Sequence, residues 1–135
     1  MKNINFLKKI KIVPVVKMTF HITNFLLIIL YLYPGSILGC FFYNDCHTQP
    51  QLTPDFIVSS NHVYVFLIFS SFGFLSFSNN LKKITSYLIM YSIFLELLHI
   101  IIPNRGFEVA DLLGNILGVS LSLIFFKLFI YRRIK

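Results

Sequence analysis

The sequence predicts an all-α integral membrane protein, an antiparallel four-helix bundle with both termini in the cytoplasm. Three observations support this fold class. Hydrophobic residues make up 56% of the 135 residues and the mean hydropathy is +0.76, which exceeds the range of ordinary soluble domains. Four apolar runs are about as long as a helix must be to cross the hydrocarbon core of a bilayer. Lys and Arg residues collect at alternate ends of these runs, as membrane orientation requires.

The N-terminal part of the chain divides into a basic segment and a first span. Five lysines lie in residues 1–17, which we assign to the anionic cytoplasmic surface of the membrane. Pro14 is expected to interrupt any helix in this segment. The first span is predicted over residues 18–33. Its polar residues His21 and Asn24 belong to no motif and are interpreted as packing residues.

The connection over residues 35–60 is polar, long for so small a protein, and contains both cysteines of the chain. A disulfide between Cys40 and Cys46 is chemically allowed on the outer face of a bacterial membrane, and two free thiols fit the sequence equally well. Cys40 also follows a basic and then an apolar stretch, as in a lipoprotein signal, although a Pro-Gly pair interrupts the apolar part. With His47, the two cysteines supply too few ligands for a closed zinc site.

The remaining spans and the charge distribution determine the predicted orientation. Three spans are predicted over residues 61–77, 84–102 and 112–131, and residues 132–135 form a basic cytoplasmic tail. Of the 12 Lys and Arg residues, only Arg105 lies on the side that carries all five acids. The positive-inside rule therefore predicts a multi-pass protein of the bacterial inner (cytoplasmic) membrane with both termini inside. Because the net charge of +7 is spread over helix ends, we exclude nucleic-acid binding.

Charged and amide residues inside the last two apolar runs form the candidate site. Glu96 and His99 are three positions apart and share a helix face, and Asp111 and Asn115 share a face at the start of the last span. Such residues are costly inside a membrane and indicate a function. We predict an outer-face polar cluster that binds a ligand and consists of His62, Glu96, His99, Arg105, Asp111 and Asn115.

Each of these residues also has a structural interpretation. Glu96 and Arg105 can form an ion pair that locks the last two helices together. Asp111 can cap the last helix, and Asn115 can bond another helix rather than a ligand. The two histidines can be satisfied by backbone carbonyls.

Small residues on the last span predict close helix packing. Gly114 and Gly118 form a Gly-xxx-Gly pattern, which allows two helix backbones to approach closely. The same face offers a surface through which two copies of the protein can associate.

The motifs of the third and fourth spans follow a fixed order: Glu96-x-x-His99, Pro103-x-Arg105, Asp111-x-x-x-Asn115 and Gly118. This order resembles that of the VanZ-like family of small bacterial membrane proteins, in which Gln stands at the position of His99. Weaker upstream matches are Pro34-Gly35-Ser36 and His62. The resemblance implies a VanZ-like four-helix domain over residues 18–131. It also implies a cell-envelope protein associated with resistance to glycopeptides of the teicoplanin type.

Two functions of different class fit these residues. In the first, the protein lies among membrane lipids and binds the anionic headgroup of a lipid or cell-wall precursor through Arg105. In the alternative, it is a small membrane-embedded enzyme that acts on such a lipid or precursor with Glu96 or Asp111 as general base. We favour binding because the cluster has no nucleophile with an adjacent base. No cofactor or metal is predicted, because a di-metal site in a bundle needs a second Glu-x-x-His motif, which the sequence lacks.

Overall fold

The computed structural model describes residues 12–131, and every regular element in this part of the chain is helical. The helices are α1 (Ile12–Leu32), α2 (Ile37–Tyr43), α3 (Ser60–Ser76), α4 (Leu81–Leu98) and α5 (Val109–Phe125). A 3-10 turn, Ser78–Asn80, joins α3 to α4, and a π-helical segment, Phe126–Tyr131, continues α5. The predicted all-α class is therefore confirmed.

Within residues 12–131, two helical segments are long and apolar enough to cross a membrane, Val13–Leu32 and Val109–Tyr131. The segments Ser60–Ser76 and Ser78–Leu98 meet the same criteria only as a pair, and the pair is bent by 96°. They therefore meet near a right angle rather than as antiparallel neighbours. The regular four-helix bundle, four crossings and the cytoplasmic position of both termini stay predictions.

Several predicted boundaries differ from the observed ones. The described part of α1 begins at Ile12 rather than at residue 18, and it contains Pro14, so this proline does not exclude helix there. α4 ends at Leu98, whereas the third span was predicted to reach residue 102. α5 begins at Val109, three positions before the predicted start. Most of the predicted basic segment, residues 1–11, and the tail, residues 132–135, lie outside the described residues.

The core is aromatic and lies where α1, α3, α4 and α5 meet. Phe20 of α1 stacks on Phe69 of α3 with ring centroids 5.0 Å apart, and Phe66 packs edge-on against Phe69. Leu88 and Leu95 of α4 and Val119 of α5 are fully buried around these rings. The outward faces are apolar too, as the lipid-facing side of a membrane helix is. Exposed apolar residues on α1 and α5 include Val15, Met18, Ile22, Phe25, Leu117, Leu121, Ile124 and Phe125.

The loop between α1 and α3 contains the short helix α2, which the sequence analysis did not predict. The Ser36 hydroxyl accepts the Gly39 N–H at 2.9 Å and caps its start, while Asn44 ends it in a left-handed conformation with φ of 52°. A Cβ on Gly39 would lie 1.8 Å from the Thr48 carbonyl oxygen, so only glycine fits there. A disulfide joins Cys40 at the middle of α2 to Cys46. Of the two alternatives for the cysteines, the structure has the disulfide.

Candidate functional site

The predicted residues come together at one end of the helices. α1 and α4 end there and α3 and α5 begin there, so that side chains from four helices meet. His62, Glu96 and Asn115 are buried with relative exposures of 6%, 0% and 0%. Each of their polar atoms therefore needs a hydrogen-bond partner, because an unpaired buried polar group is costly in free energy.

His62 is the centre of a hydrogen-bonded group that joins α1, α3 and α5. Its Nδ1 lies 2.9 Å from Asn115 Oδ1 and 3.0 Å from the Tyr31 hydroxyl, and its Nε2 lies 3.4 Å from Asp111 Oδ2. The Tyr31 hydroxyl donates to the same Asn115 oxygen at 3.0 Å. A hydrogen bond between Nδ1 and this oxygen requires a hydrogen on Nδ1, and in this amide orientation Asn115 Nδ2 is buried without a partner among residues 12–131. Asn115 thus bonds two other helices.

Tyr31 is a site residue that the sequence analysis missed. It lies in the last turn of α1, is 8% exposed, and stacks on His99 with ring centroids 5.3 Å apart. A tyrosine near the end of an apolar run is ordinary in a membrane protein, since tyrosines collect at the membrane surface. Nothing in the sequence therefore separates it from the other tyrosines.

Glu96 uses one of its two carboxylate oxygens for structure. Oε1 accepts the Glu108 backbone N–H at 3.1 Å and lies 3.3 Å from His99 Nδ1. Oε2 is buried and has no hydrogen-bond partner among residues 12–131. His99 Nε2, on a ring that is 1% exposed, likewise lacks a partner in the described part of the chain. Two buried polar atoms therefore remain available to a ligand.

Arg105 does not pair with Glu96, so the ion pair considered from the sequence is wrong. Within the described residues, the two acids contact histidines instead, Asp111 with His62 at 3.4 Å and Glu96 with His99 at 3.3 Å. Arg105 Nη2 instead donates to the carbonyl oxygen of Gly35, and Arg105 Nε is buried without a partner in residues 12–131. The α4–α5 loop thus bonds the turn that follows α1 rather than the neighbouring acid.

Gly114 and Gly118 hold α3 against α5, the helix pair with the most extensive contact. A Cβ on Gly114 would lie 2.7 Å from the Ser59 carbonyl oxygen and 3.1 Å from the Cβ of His62. A Cβ on Gly118 would lie 2.5 Å from the carbonyl oxygen of Val63. This close approach carries His62 toward Asp111. The glycine face is occupied within the chain, so it is not open to a second copy of the protein.

The loop over residues 35–60 is tied to the start of α3. Asn61 donates to the Pro50 carbonyl at 2.7 Å and accepts the Leu52 N–H at 3.2 Å. Asp55 accepts the Ser60 N–H at 2.7 Å, and this hydrogen bond holds the pKa of the Asp55 carboxyl below its usual value. Asp55 thereby caps α3 from five residues upstream.

Two adjoining cavities open at this end of the helices. The larger, of about 250 Å³, is polar and is lined by Asp55, His62, His99, Arg105, Glu108 and Asp111 among others. The smaller, of about 90 Å³, is mainly apolar and is lined by Leu27, Leu30, Ile37, Leu38 and Val65 together with polar residues. His62, His99 and Arg105 line both, so the two cavities are neighbours. Glu96 lies behind this surface.

Comparison with protein-family models, with curated proteins and with solved structures found no match to this chain. The VanZ-like assignment therefore stays a prediction.

The geometry of the site suits three kinds of chemistry: binding of an anion, binding of a cation and transfer of a proton. Arg105 offers N–H donors to an anion. His62, Asp111 and Glu96 bring one ligand atom each within 4.8 Å of one another, which suits a cation. The predicted absence of a metal site rested on spacing within single helices, whereas these residues come from three helices. The His62–Asp111 pair can also move a proton at the cavity wall.

Proposed function

We propose that this chain is a VanZ-like membrane protein of the bacterial cell envelope that binds the headgroup of an anionic lipid or envelope precursor. The observation that carries the proposal concerns Arg105. This residue lines both the polar cavity and the smaller apolar cavity, called the apolar groove below, and its Nε is buried without a partner among the described residues. A guanidinium with an unused N–H, held in place by the Gly35 carbonyl, is suited to a phosphate or carboxylate.

The two cavities suit a ligand with a polar and an apolar part. The polar cavity is about 250 Å³, enough for a small headgroup, and the adjoining apolar groove runs past residues of α1, α2 and α3. Leu27 and Val65 belong to helices whose outer faces are apolar. A lipid can therefore place its headgroup beside Arg105 and the first part of its chain in the groove.

The charges around the polar cavity restrict the class of headgroup that can bind there. Among residues 12–131, Arg105 is the only Lys or Arg that lines it, and Asp55, Glu108 and Asp111 line the same cavity. A headgroup with negative charge alone would meet three carboxylates. A headgroup that combines a phosphate with hydroxyl or amine donors can bond Arg105 and the acids together. Because binding of an envelope precursor would affect susceptibility to teicoplanin-type glycopeptides, we expect this susceptibility to change in cells that lack the protein.

Arg105→Lys tests the proposal. Lysine keeps the charge but loses the planar set of N–H donors, so retention of phosphatidylglycerol by the purified protein should weaken about tenfold, equivalent to about 1.4 kcal/mol. Native mass spectrometry in detergent counts the retained lipid, with glycerol 1-phosphate as competitor. Lys83→Arg, an exposed basic residue at the start of α4, is the matched control. Equal retention by Arg105→Lys and wild type would refute headgroup recognition by Arg105.

The His62–Asp111 pair supports a second function, catalysis on the same lipid or precursor. A carboxylate 3.4 Å from a histidine at a cavity wall is the arrangement of a general base. Asp111 suits this role better than Glu96, which does not line the cavity. Asp111→Asn distinguishes the two functions. Loss of the cellular phenotype with retained lipid binding would favour the enzyme, and an unchanged phenotype would favour binding alone.

A further inference from the structure

We propose that His62, Glu96 and Asp111 form a binding site for a divalent first-row transition-metal ion, with Zn²⁺ the first candidate. One ligand atom from each residue lies within 4.8 Å of the others. The three residues come from α3, α4 and α5, so the site exists only in the folded chain. Imidazole with carboxylate oxygen is a donor set that Zn²⁺, Fe²⁺ and Mn²⁺ accept.

The distance between His62 and Asp111 matches a metal site. Their Nε2 and Oδ2 atoms lie 3.4 Å apart. Two ligands at tetrahedral angles, each about 2.0–2.1 Å from zinc, are about 3.3–3.4 Å apart. The pair is therefore already spaced for one ion between them, and only the third ligand has to move closer.

The second ring nitrogen of His62 is arranged as in metal-binding histidines. A histidine that binds a metal through one nitrogen normally donates the hydrogen on the other nitrogen to an oxygen of the protein. His62 Nδ1 is 2.9 Å from Asn115 Oδ1, which also accepts from the Tyr31 hydroxyl. This contact fixes the ring and directs Nε2 to Asp111.

Glu96 supplies the independent observation that points to a ligand. Its Oε1 is held by the Glu108 N–H and faces His99, while Oε2 has no hydrogen-bond partner among residues 12–131 and the residue is fully buried. In the same part of the chain, no Lys or Arg forms an ion pair with Glu96 or Asp111. Two carboxylates this close repel each other, and a divalent cation between them removes the repulsion.

His62 and Asp111 also line the polar cavity, and Asp111 retains 18% side-chain exposure. The ion would thus have three protein ligands and one coordination position toward the cavity, the arrangement of an open site. A phosphate or a water molecule fits that position. The metal site uses His62, Glu96 and Asp111, whereas the headgroup proposal depends on Arg105, so metal binding and headgroup binding are tested separately.

Cobalt binding to the purified full-length protein tests the proposal. After removal of metals with a chelator, Co²⁺ titration should give one equivalent per chain and a visible spectrum typical of four or five nitrogen and oxygen ligands. Zn²⁺ should displace the Co²⁺. Absence of saturable one-to-one uptake by the wild-type protein would overturn the proposal.

Matched variants locate the ion. Glu96→Gln keeps the acceptor for the Glu108 N–H but replaces Oε2 with a donor, and it should weaken Co²⁺ binding at least tenfold. His62→Gln should do the same. His21→Gln changes an exposed histidine of α1 that is not part of the proposed site, and it should bind Co²⁺ as wild type does. Should His62→Gln fail to fold, as followed by circular dichroism, Glu96→Gln decides the test. Binding unchanged in Glu96→Gln would place the ion elsewhere and refute the site.

Discussion

Gly118→Ala should destabilise the protein through the contact between α3 and α5. The added Cβ would lie 2.5 Å from the Val63 carbonyl oxygen, 2.9 Å from the Leu67 nitrogen and 3.0 Å from a Phe66 side-chain carbon. Ordinary contact begins at 3.4 Å, so the first of these distances is short by about an ångström. Two of the three opposing atoms are backbone, which cannot rotate away, and α3 must shift as a unit.

The magnitude follows from this geometry. Overpacking a close-packed interior costs about 1–3 kcal/mol, and the upper half of that range applies where the opposing atoms cannot give way. Gly106→Ala is the control, because a Cβ there would meet no atom within 4 Å and its backbone needs no left-handed conformation. It should change stability by less than about 0.5 kcal/mol.

Thermal unfolding in a single detergent, followed by circular dichroism, measures both variants. We expect Gly118→Ala to unfold several degrees below wild type and Gly106→Ala to unfold with it. Metal or lipid binding by Gly118→Ala should weaken as well, since the shift separates His62 from Asp111. Equal melting temperatures for Gly118→Ala and wild type would show that α3 and α5 do not approach closely at this glycine.

Three further predictions concern the site and its loop. Tyr31→Phe removes the hydroxyl that donates to Asn115 and should cost about 1 kcal/mol in urea unfolding. Because the pKa of Asp55 is lowered, its cap on α3 is present above about pH 4 and lost as the pH falls through the lower folded value. The protection of the Ser60 amide hydrogen, measured as its exchange rate relative to the intrinsic rate at the same pH, should therefore fall only in acid, and Asp55→Asn should remove that transition. Reduction of the disulfide should lower the free energy of unfolding by about 2 kcal/mol, since the disulfide closes a short loop. After reduction, an impermeant maleimide added to intact cells should label both cysteines. Labelling only after lysis would contradict the predicted orientation.

Much of the helical framework was predictable because apolar runs of this length have few alternatives. The short helix α2 was not, since seven residues give no periodic signal and it depends on Ser36, Gly39 and Asn44 acting together. The 96° bend between α3 and α4 also escaped prediction. It arises at a 3-10 turn that resembles any polar connection in the sequence.

The site was predictable only as a set of residues. These residues could be identified because a buried acid or amide in an apolar run is costly in free energy and needs a partner. Partner choice was not predictable, as the expected Glu96–Arg105 pair shows. Glu96 bonds the backbone of Glu108 and faces His99, and Arg105 reaches the Gly35 carbonyl in the turn between α1 and α2. Such contacts depend on the path of two loops, which helix periodicity does not describe.

The loop over residues 35–60 connects the site to the rest of the fold at more than one point. The Ser36 N–H donates to the Cys46 carbonyl at 2.8 Å, beside the Gly35 carbonyl that holds Arg105. At the other end, the Ser59 N–H donates to the Ala110 carbonyl at 3.1 Å, next to Asp111. A ligand that bonds Arg105 and Asp111 together therefore joins two segments that the loop already holds in place. Binding should consequently restrict this loop further, because each contact restricts the same backbone.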